Sequence, residues 1–149
     1  MESAAVADLL ESNGTFRVQV LGADADPVPP ADLARLFPRL RPFSPRFDRL
    51  AQSARIEVGR QDELVGLAIY LRAEDELRVP ELAVEPGPRN GSREVLNTLL
   101  DALEVACLAG GHRRLIVTPP PSALAMLQRR GYELIREGCA GTWLEKRFQ

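Results

Sequence analysis

Residues 81–100, ELAVEPGPRNGSREVLNTLL, pass from a short alternating strand pattern through a Gly/Asn/Ser turn into an amphipathic helix. A strand that feeds a helix through such a turn aims free backbone N–H groups beyond the helix start, where they favour an anion. The helix itself is the strongest element in the chain. Leu96, Leu99, Leu100, Leu103, Ala106 and Cys107 fall on one stripe of helical period. Ser92 or Gly91 is the expected N-cap, and Gly110-Gly111 the expected stop.

The strand before the turn carries a defect. Leu77 and Val79 share one parity, Leu82 and Val84 the other. A period of two cannot change register without an extra residue, so a bulge is expected near Pro80-Glu81. Proline inside a ladder supports the same reading, and a bulge bares main-chain donors and acceptors.

Upstream, a short helix is expected from Ala4 to Leu10, a strand from Phe16 to Leu21, and helices at 32–37 and around 45–52, separated by proline-rich connectors. Arg55 to Gly59, Leu64 to Leu71 and Leu77 to Val84 read as an antiparallel meander. Leu64 to Leu71 is apolar enough for a strand covered on both faces. Downstream come a strand at 114–118, a short helix capped by Ser122, and a terminal strand pair around Gly138. The order β–α–α–βββ–α–β–α–ββ is that of a mixed α/β protein with helices on both sheet faces, one domain over residues 1–149.

Composition removes several function classes. The net charge of −2 calls for neither nucleic acid nor an anionic membrane. Arg113, Arg114, Arg129 and Arg130 are the right residue type for nucleic acid, but they lack interleaved aromatics. No apolar run of about 18 residues offers a membrane span. The N-terminus carries acids where a signal peptide carries cations, so a cytoplasmic protein is expected. Cys107, Cys139 and His112 are the only cysteines and histidine, too few for a zinc or iron–sulfur site, so no metal is expected. Cys107 reads as a buried, inert thiol, and His112 as a solvent-facing or capping residue at a helix–strand turn. Tyr70, Tyr132 and Trp143 read as packing aromatics.

Glu-Leu-Ala-Val-Glu-Pro (81–86) resembles the end of the fourth strand in the GNAT superfamily of N-acetyltransferases, where L-x-V-x-P precedes a pyrophosphate loop. Pro88 to Leu96 takes the place of that family's Q/R-x-x-G-x-G/A loop, and Leu127 to Tyr132 resembles its later F-Y-x-x-x-G-F segment. The resemblance covers residues 55–148, with 15–50 matching by element order alone. It implies a GNAT-like central mixed, mostly antiparallel sheet of six to seven strands with helices on both faces. It also implies acetyl-CoA as acyl donor, with Leu82, Ala83 and Val84 pairing with its pantetheine arm. Arg89, Asn90, Gly91, Ser92 and Arg93 would hold the pyrophosphate. Glu81 would serve as base or proton relay toward a small-molecule or peptide amine, or stand as an ordinary surface or bulge-capping glutamate. Some relatives pair through their last strands, so a homodimer is compatible with the sequence.

The chain would be an atypical member. Its loop is one residue short after Pro86, Arg93 stands where the second glycine lets backbone approach phosphate, and Glu94 repels a nearby anion. Leu127 occupies the position of the general-acid tyrosine, and Thr118-Pro119-Pro120-Pro121 replaces the asparagine that follows the fifth strand. Two readings follow. One is an acyl-CoA-dependent N-acetyltransferase in which positioning supplies most of the rate. The other is a catalytically inactive GNAT-like scaffold, with weak or no CoA binding, that acts as an interaction module.

Overall fold

In the computed structural model, which describes residues 16–41, 44–86, 91–138 and 141–148, the elements follow the expected order. The strands are β1 (Arg17–Leu21), β2 (Arg55–Arg60), β3 (Glu63–Arg72), β4 (Glu76–Val84), β5 (Arg114–Val117), β6 (Glu133–Gly138) and β7 (Gly141–Arg147). The helices are α1 (Pro30–Leu36), α2 (Pro45–Ala51), α3 (Gly91–Ala109) and α4 (Leu124–Arg129), the last entered through a 3-10 turn at Pro121–Ala123. The expected helix at 4–10 and Cys139 lie outside the described residues. All seven strands form one sheet in the order β1-β2-β3-β4-β5-β7-β6. Every neighbouring pair is antiparallel except β4 and β5, which run parallel with α3 as their crossover.

The expected bulge is present. Along the β3–β4 ladder Ile69 pairs with Glu81, but Leu71 pairs with Arg78. Three steps on β4 thus oppose two on β3, which places the extra residue at Val79-Pro80. Its effect is visible in the packing: Leu77 and Val79 before it, and Leu82 and Val84 after it, all join the same apolar cluster. Without the insertion the second pair would face the other side.

Two cores lie on opposite faces of the sheet. The larger gathers Leu96, Leu99, Leu100, Leu103, Ala106 and Cys107 of α3 against Val65, Ala68, Tyr70, Leu77 and Val79, and Leu127 of α4 joins it. The smaller packs Leu33 and Leu36 of α1 and Phe47 and Leu50 of α2 on Leu67, Ile69 and Ala83. Gly66 sets how closely α3 approaches. A Cβ there would lie 2.6 Å from Val95 Cγ1 and 3.0 Å from Leu99 Cδ1, so any side chain would push the helix off the sheet.

The end of α3 is closed by a Schellman motif. His112 N–H donates to Cys107 O at 2.9 Å, Gly111 N–H donates to Leu108 O at 3.0 Å, and Gly111 takes the left-handed φ of 77° that glycine tolerates. The backbone of His112 therefore caps the helix, but its imidazole is buried rather than solvent-facing, with Nε2 3.3 Å from Arg72 Nη1. The helix α3 begins at Gly91, and the residues just before it lie outside those described. One other expectation is corrected. Ser122 sits inside the 3-10 turn and does not cap α4, whose N-cap is Ala123 without a side-chain bond.

Two buried charges tie the layers together. Arg55, only 2% exposed, donates to Glu57 Oε2 at 2.7 Å, to the carbonyls of Ala51 and Ser53, and to that of Asp26. It thereby joins the 22–29 connector and the end of α2 to β2. Glu145 on β7 accepts from Arg114 at 2.8 Å and from Arg147 at 3.1 Å. Burial opposes its ionisation, but these two cations prevail and hold its carboxyl below the usual carboxylate range.

Two tests follow from this packing. Gly66→Val is expected to lower unfolding free energy by about 1–3 kcal/mol in urea melts, and an unchanged midpoint would contradict the close approach of α3. Because the folded pKa of Glu145 is depressed, its stabilisation is present above the ordinary value of 4.5 and is lost as pH falls through the lower folded value. Glu145→Gln should accordingly flatten the loss of stability below that pH, read from melts across the acid range.

Candidate functional site

The parallel pairing of β4 and β5 is short. It runs from Glu76↔Arg114 to Val79↔Val117 and closes with Thr118 N–H donating to Val79 O at 3.0 Å. Two features stop it there. On one side is the bulge at Val79-Pro80; on the other, Pro119, Pro120 and Pro121 have no N–H to offer a ladder. Past this point β4 keeps β3 as a neighbour, and no strand among the described residues lies on its other side. Residues 81–84 thus present an unpaired edge of alternating donors and acceptors.

A cavity of about 380 Å³ occupies the space where the strands part. One wall is Leu82 and Val84 of β4 with Ser92, Arg93 and Leu96 of α3. The other is Pro120, Ser122 and Ala123 with Ala125, Met126 and Arg129 of α4. The lining is apolar apart from two serines and two arginines. Both guanidinium groups belong to exposed residues, and neither has an ion pair or hydrogen bond among the described residues.

The sequence-expected residues are distributed unevenly about this cleft. Leu82, Val84, Ser92 and Arg93 line it, and Gly91 opens α3 beside it. Ala83 points into the smaller core on the opposite face, although its backbone belongs to the same edge. Arg89 and Asn90 lie outside the described residues. Glu94 is exposed and does not line the cavity. Glu81 is absent from the cavity lining too; its carboxylate receives Arg46 Nη2 of α2 at 2.5 Å. Arg46 and the whole α4 wall were not nominated from sequence. Arg129 was noticed only as one of a basic group, and sequence alone does not separate it from Arg130.

The fold does separate them. Arg130 donates to Asn97 Oδ1 at 3.0 Å, Asp101 Oδ1 at 2.7 Å and Glu104 Oε2 at 3.1 Å, which pins α4 to α3. Glu104 also accepts from Tyr132 Oη at 2.8 Å and Lys146 Nζ at 3.3 Å. Burial first, and the Glu104 carboxylate second, push the Tyr132 phenol far above its ordinary value, so it is no proton donor to a ligand. Leu127 is wholly buried in the larger core. Burial, with Glu104 again adding, pushes the Cys107 thiol up to about 11, and its S–H faces the carbonyls of His112 and Arg114. An inert thiol is thus what the structure contains. At the apex of the split, Thr118 Oγ1 is buried without a partner among the described residues.

A larger cavity, about 630 Å³, lies between the start of α1, strand β1 and the β2–β3 hairpin. Its carboxylates are mostly committed: Asp32 and Glu63 to Arg35, and Glu57 to Arg55. It does not contain the free edge of β4. The smaller cleft is therefore the stronger candidate, because the open backbone of β4 borders it. Among the described residues no group of three or more His, Cys, Asp or Glu side chains could hold a metal, and no helix is long and apolar enough to cross a membrane.

Comparison with solved structures identifies the architecture. The chain superposes on a Drosophila melanogaster polyamine N-acetyltransferase with a TM-score of 0.71 at 11% identity, covering 89% of this chain and all of that one. A GNAT family acetyltransferase from Elizabethkingia anophelis with acetyl-CoA bound matches at 0.63 and 14% identity, over 90% and 99% of the two chains. The PaiA N-acetyltransferase of Thermoplasma acidophilum, in complex with coenzyme A, matches at 0.55 and 12% identity, over 63% of this chain and 60% of its own. No protein-family model matches the sequence, and no curated protein matches it. At these identities the likeness establishes the fold: this chain has the mixed, mostly antiparallel sheet of the GNAT acetyltransferases.

The division of labour between the two arginines can be checked directly. Arg130→Gln should cost about 1–3 kcal/mol, since it leaves Glu104 and Asp101 without their guanidinium. Arg129→Gln, at an exposed and unpaired position, should stay within about 0.5 kcal/mol by thermal and urea melts.

Proposed function

We propose that the protein is an acyl-CoA-dependent N-acetyltransferase that takes its donor in the cleft between β4 and the α4 wall. One observation carries this reading. The one parallel strand pair among the described residues comes apart at a bulge, and the gap is open, lined by apolar side chains and two serines, and edged by two arginines without an ion pair among the described residues. Solved neighbours with coenzyme A or acetyl-CoA bound support it.

The residues of the chain divide the work as follows. The free edge at Leu82, Ala83 and Val84 offers N–H and C=O groups to an extended amide-bearing arm, as an edge strand does to an added strand. Its N–H groups are also the available donors for oxygen charge that develops at a thioester carbonyl. Leu82, Leu96, Ala123 and Met126 exclude water from that arm. Gly91, Ser92 and Arg93 open α3 and would face the anion, and Arg89 and Asn90 in the preceding sequence are proposed to add to that site. Acetyl-CoA, when bound, supplies the carbonyl carbon that a neutral amine attacks, and its thiolate leaves.

Glu81 would hold the amine's proton from the face of β4 opposite the cleft, where it meets α2. Its pairing with Arg46 keeps the carboxylate in place, where it can attract an ammonium group and relay its proton. With Leu127 buried, no phenol protonates the departing thiolate, so that proton comes from the amine or from solvent. The same absence favours the second reading, a scaffold without catalysis.

Calorimetric titration with acetyl-CoA and desulfo-CoA separates the two. The transferase reading expects binding that Ser122→Trp, an exposed position on the cleft wall, weakens at least about tenfold with the melting temperature unchanged. Glu81→Gln should leave that binding intact while lowering kcat/KM for an accepted amine by about 100-fold. Binding without turnover on any amine would leave the scaffold.

A further inference from the structure

Two guanidinium groups flank the cleft from opposite walls. Arg93 stands in the first turn of α3, next to the amides that would face that diphosphate. Arg129 stands on the opposite wall, at the last residue of α4. Its neighbour Arg130 is consumed by Asn97, Asp101 and Glu104, and Arg114 by Glu76 and Glu145. Arg129 has no carboxylate among the described residues, although it shares a wall with apolar side chains that a ligand would cover. An exposed guanidinium suits a phosphate that keeps part of its hydration and accepts paired N–H donors.

Coenzyme A carries two anionic groups at its nucleotide end, the diphosphate and the ribose 3′-phosphate. We infer that Arg129 binds the 3′-phosphate while Arg93 clasps the diphosphate across the cleft, making the site selective for coenzyme A over donors without that phosphate. This rests on the proposed cofactor reading and extends it. The arginine that crowds the start of α3 where a glycine is usual and the arginine on α4 then act as one clamp, side chains supplementing a shortened loop.

The test is a cycle of calorimetric titrations with coenzyme A and dephospho-CoA on the wild type, Arg129→Gln and Arg93→Gln. The wild type should bind coenzyme A about tenfold or more tightly than dephospho-CoA. Arg129→Gln should erase that difference, falling to the dephospho-CoA level for both ligands and leaving dephospho-CoA binding within about twofold. Arg93→Gln should weaken both ligands by the same factor. Equal affinities in the wild type, or an Arg129→Gln loss common to both ligands, would overturn the assignment while leaving the cofactor reading standing. Absence of coenzyme A binding to the wild type at millimolar concentration would instead remove the cofactor reading itself. Melting curves of each variant exclude misfolding as the cause.

Discussion

The inserted residue at Val79-Pro80 governs both halves of the molecule. By shifting parity it lets one strand serve the larger core along its whole length, with Leu77 and Val79 on one side of the insertion and Leu82 and Val84 on the other. By turning the strand it also ends the one parallel contact among the described strands, and the three prolines after Thr118 make that ending permanent. Core and cleft are consequences of the same local geometry. A sheet that continued its pairing would have had no cleft between β4 and α4.

Charge is distributed on the same logic. Most of the basic side chains are arginines, and the fold assigns them different work. Arg55 ties a connector to a strand, Arg114 satisfies Glu76 and Glu145, Arg130 fastens α4 to α3, and Arg46 holds Glu81. Each of these cations has its carboxylate within the protein, so none is free to recruit anything. Arg93 and Arg129 have no such carboxylate among the described residues, and they differ from other unpaired surface arginines in lining the cleft.

Much of this was legible before any coordinates. Element order, the α3 stripe and the bulge all follow from periodicity, because a buried face imposes its spacing on the chain. The β4 residues of the candidate site, Leu82, Ala83 and Val84, came instead from the family resemblance, with the bulge supplying the expectation of bare backbone. What periodicity does not encode is which side chains from distant segments meet. The pairing of Glu81 with Arg46 spans 35 positions, and the α4 wall reaches the cleft only through the fold. The imidazole of His112 was misjudged because a helix–strand turn suggests exposure, whereas Arg72 from a neighbouring strand closes over it. Ser122 was misjudged because a serine after prolines resembles a cap, yet the chain spends that turn as a 3-10 segment.

The sheet also keeps its two cores apart, and that separation has an evolutionary reading. The layer of α1 and α2 rests on Leu67, Ile69 and Ala83, while the helix that flanks the cleft rests on the other face. Substitutions in contact with different faces combine nearly independently. Drift in the α1–α2 layer can therefore accumulate without disturbing the packing of α3 on the opposite face.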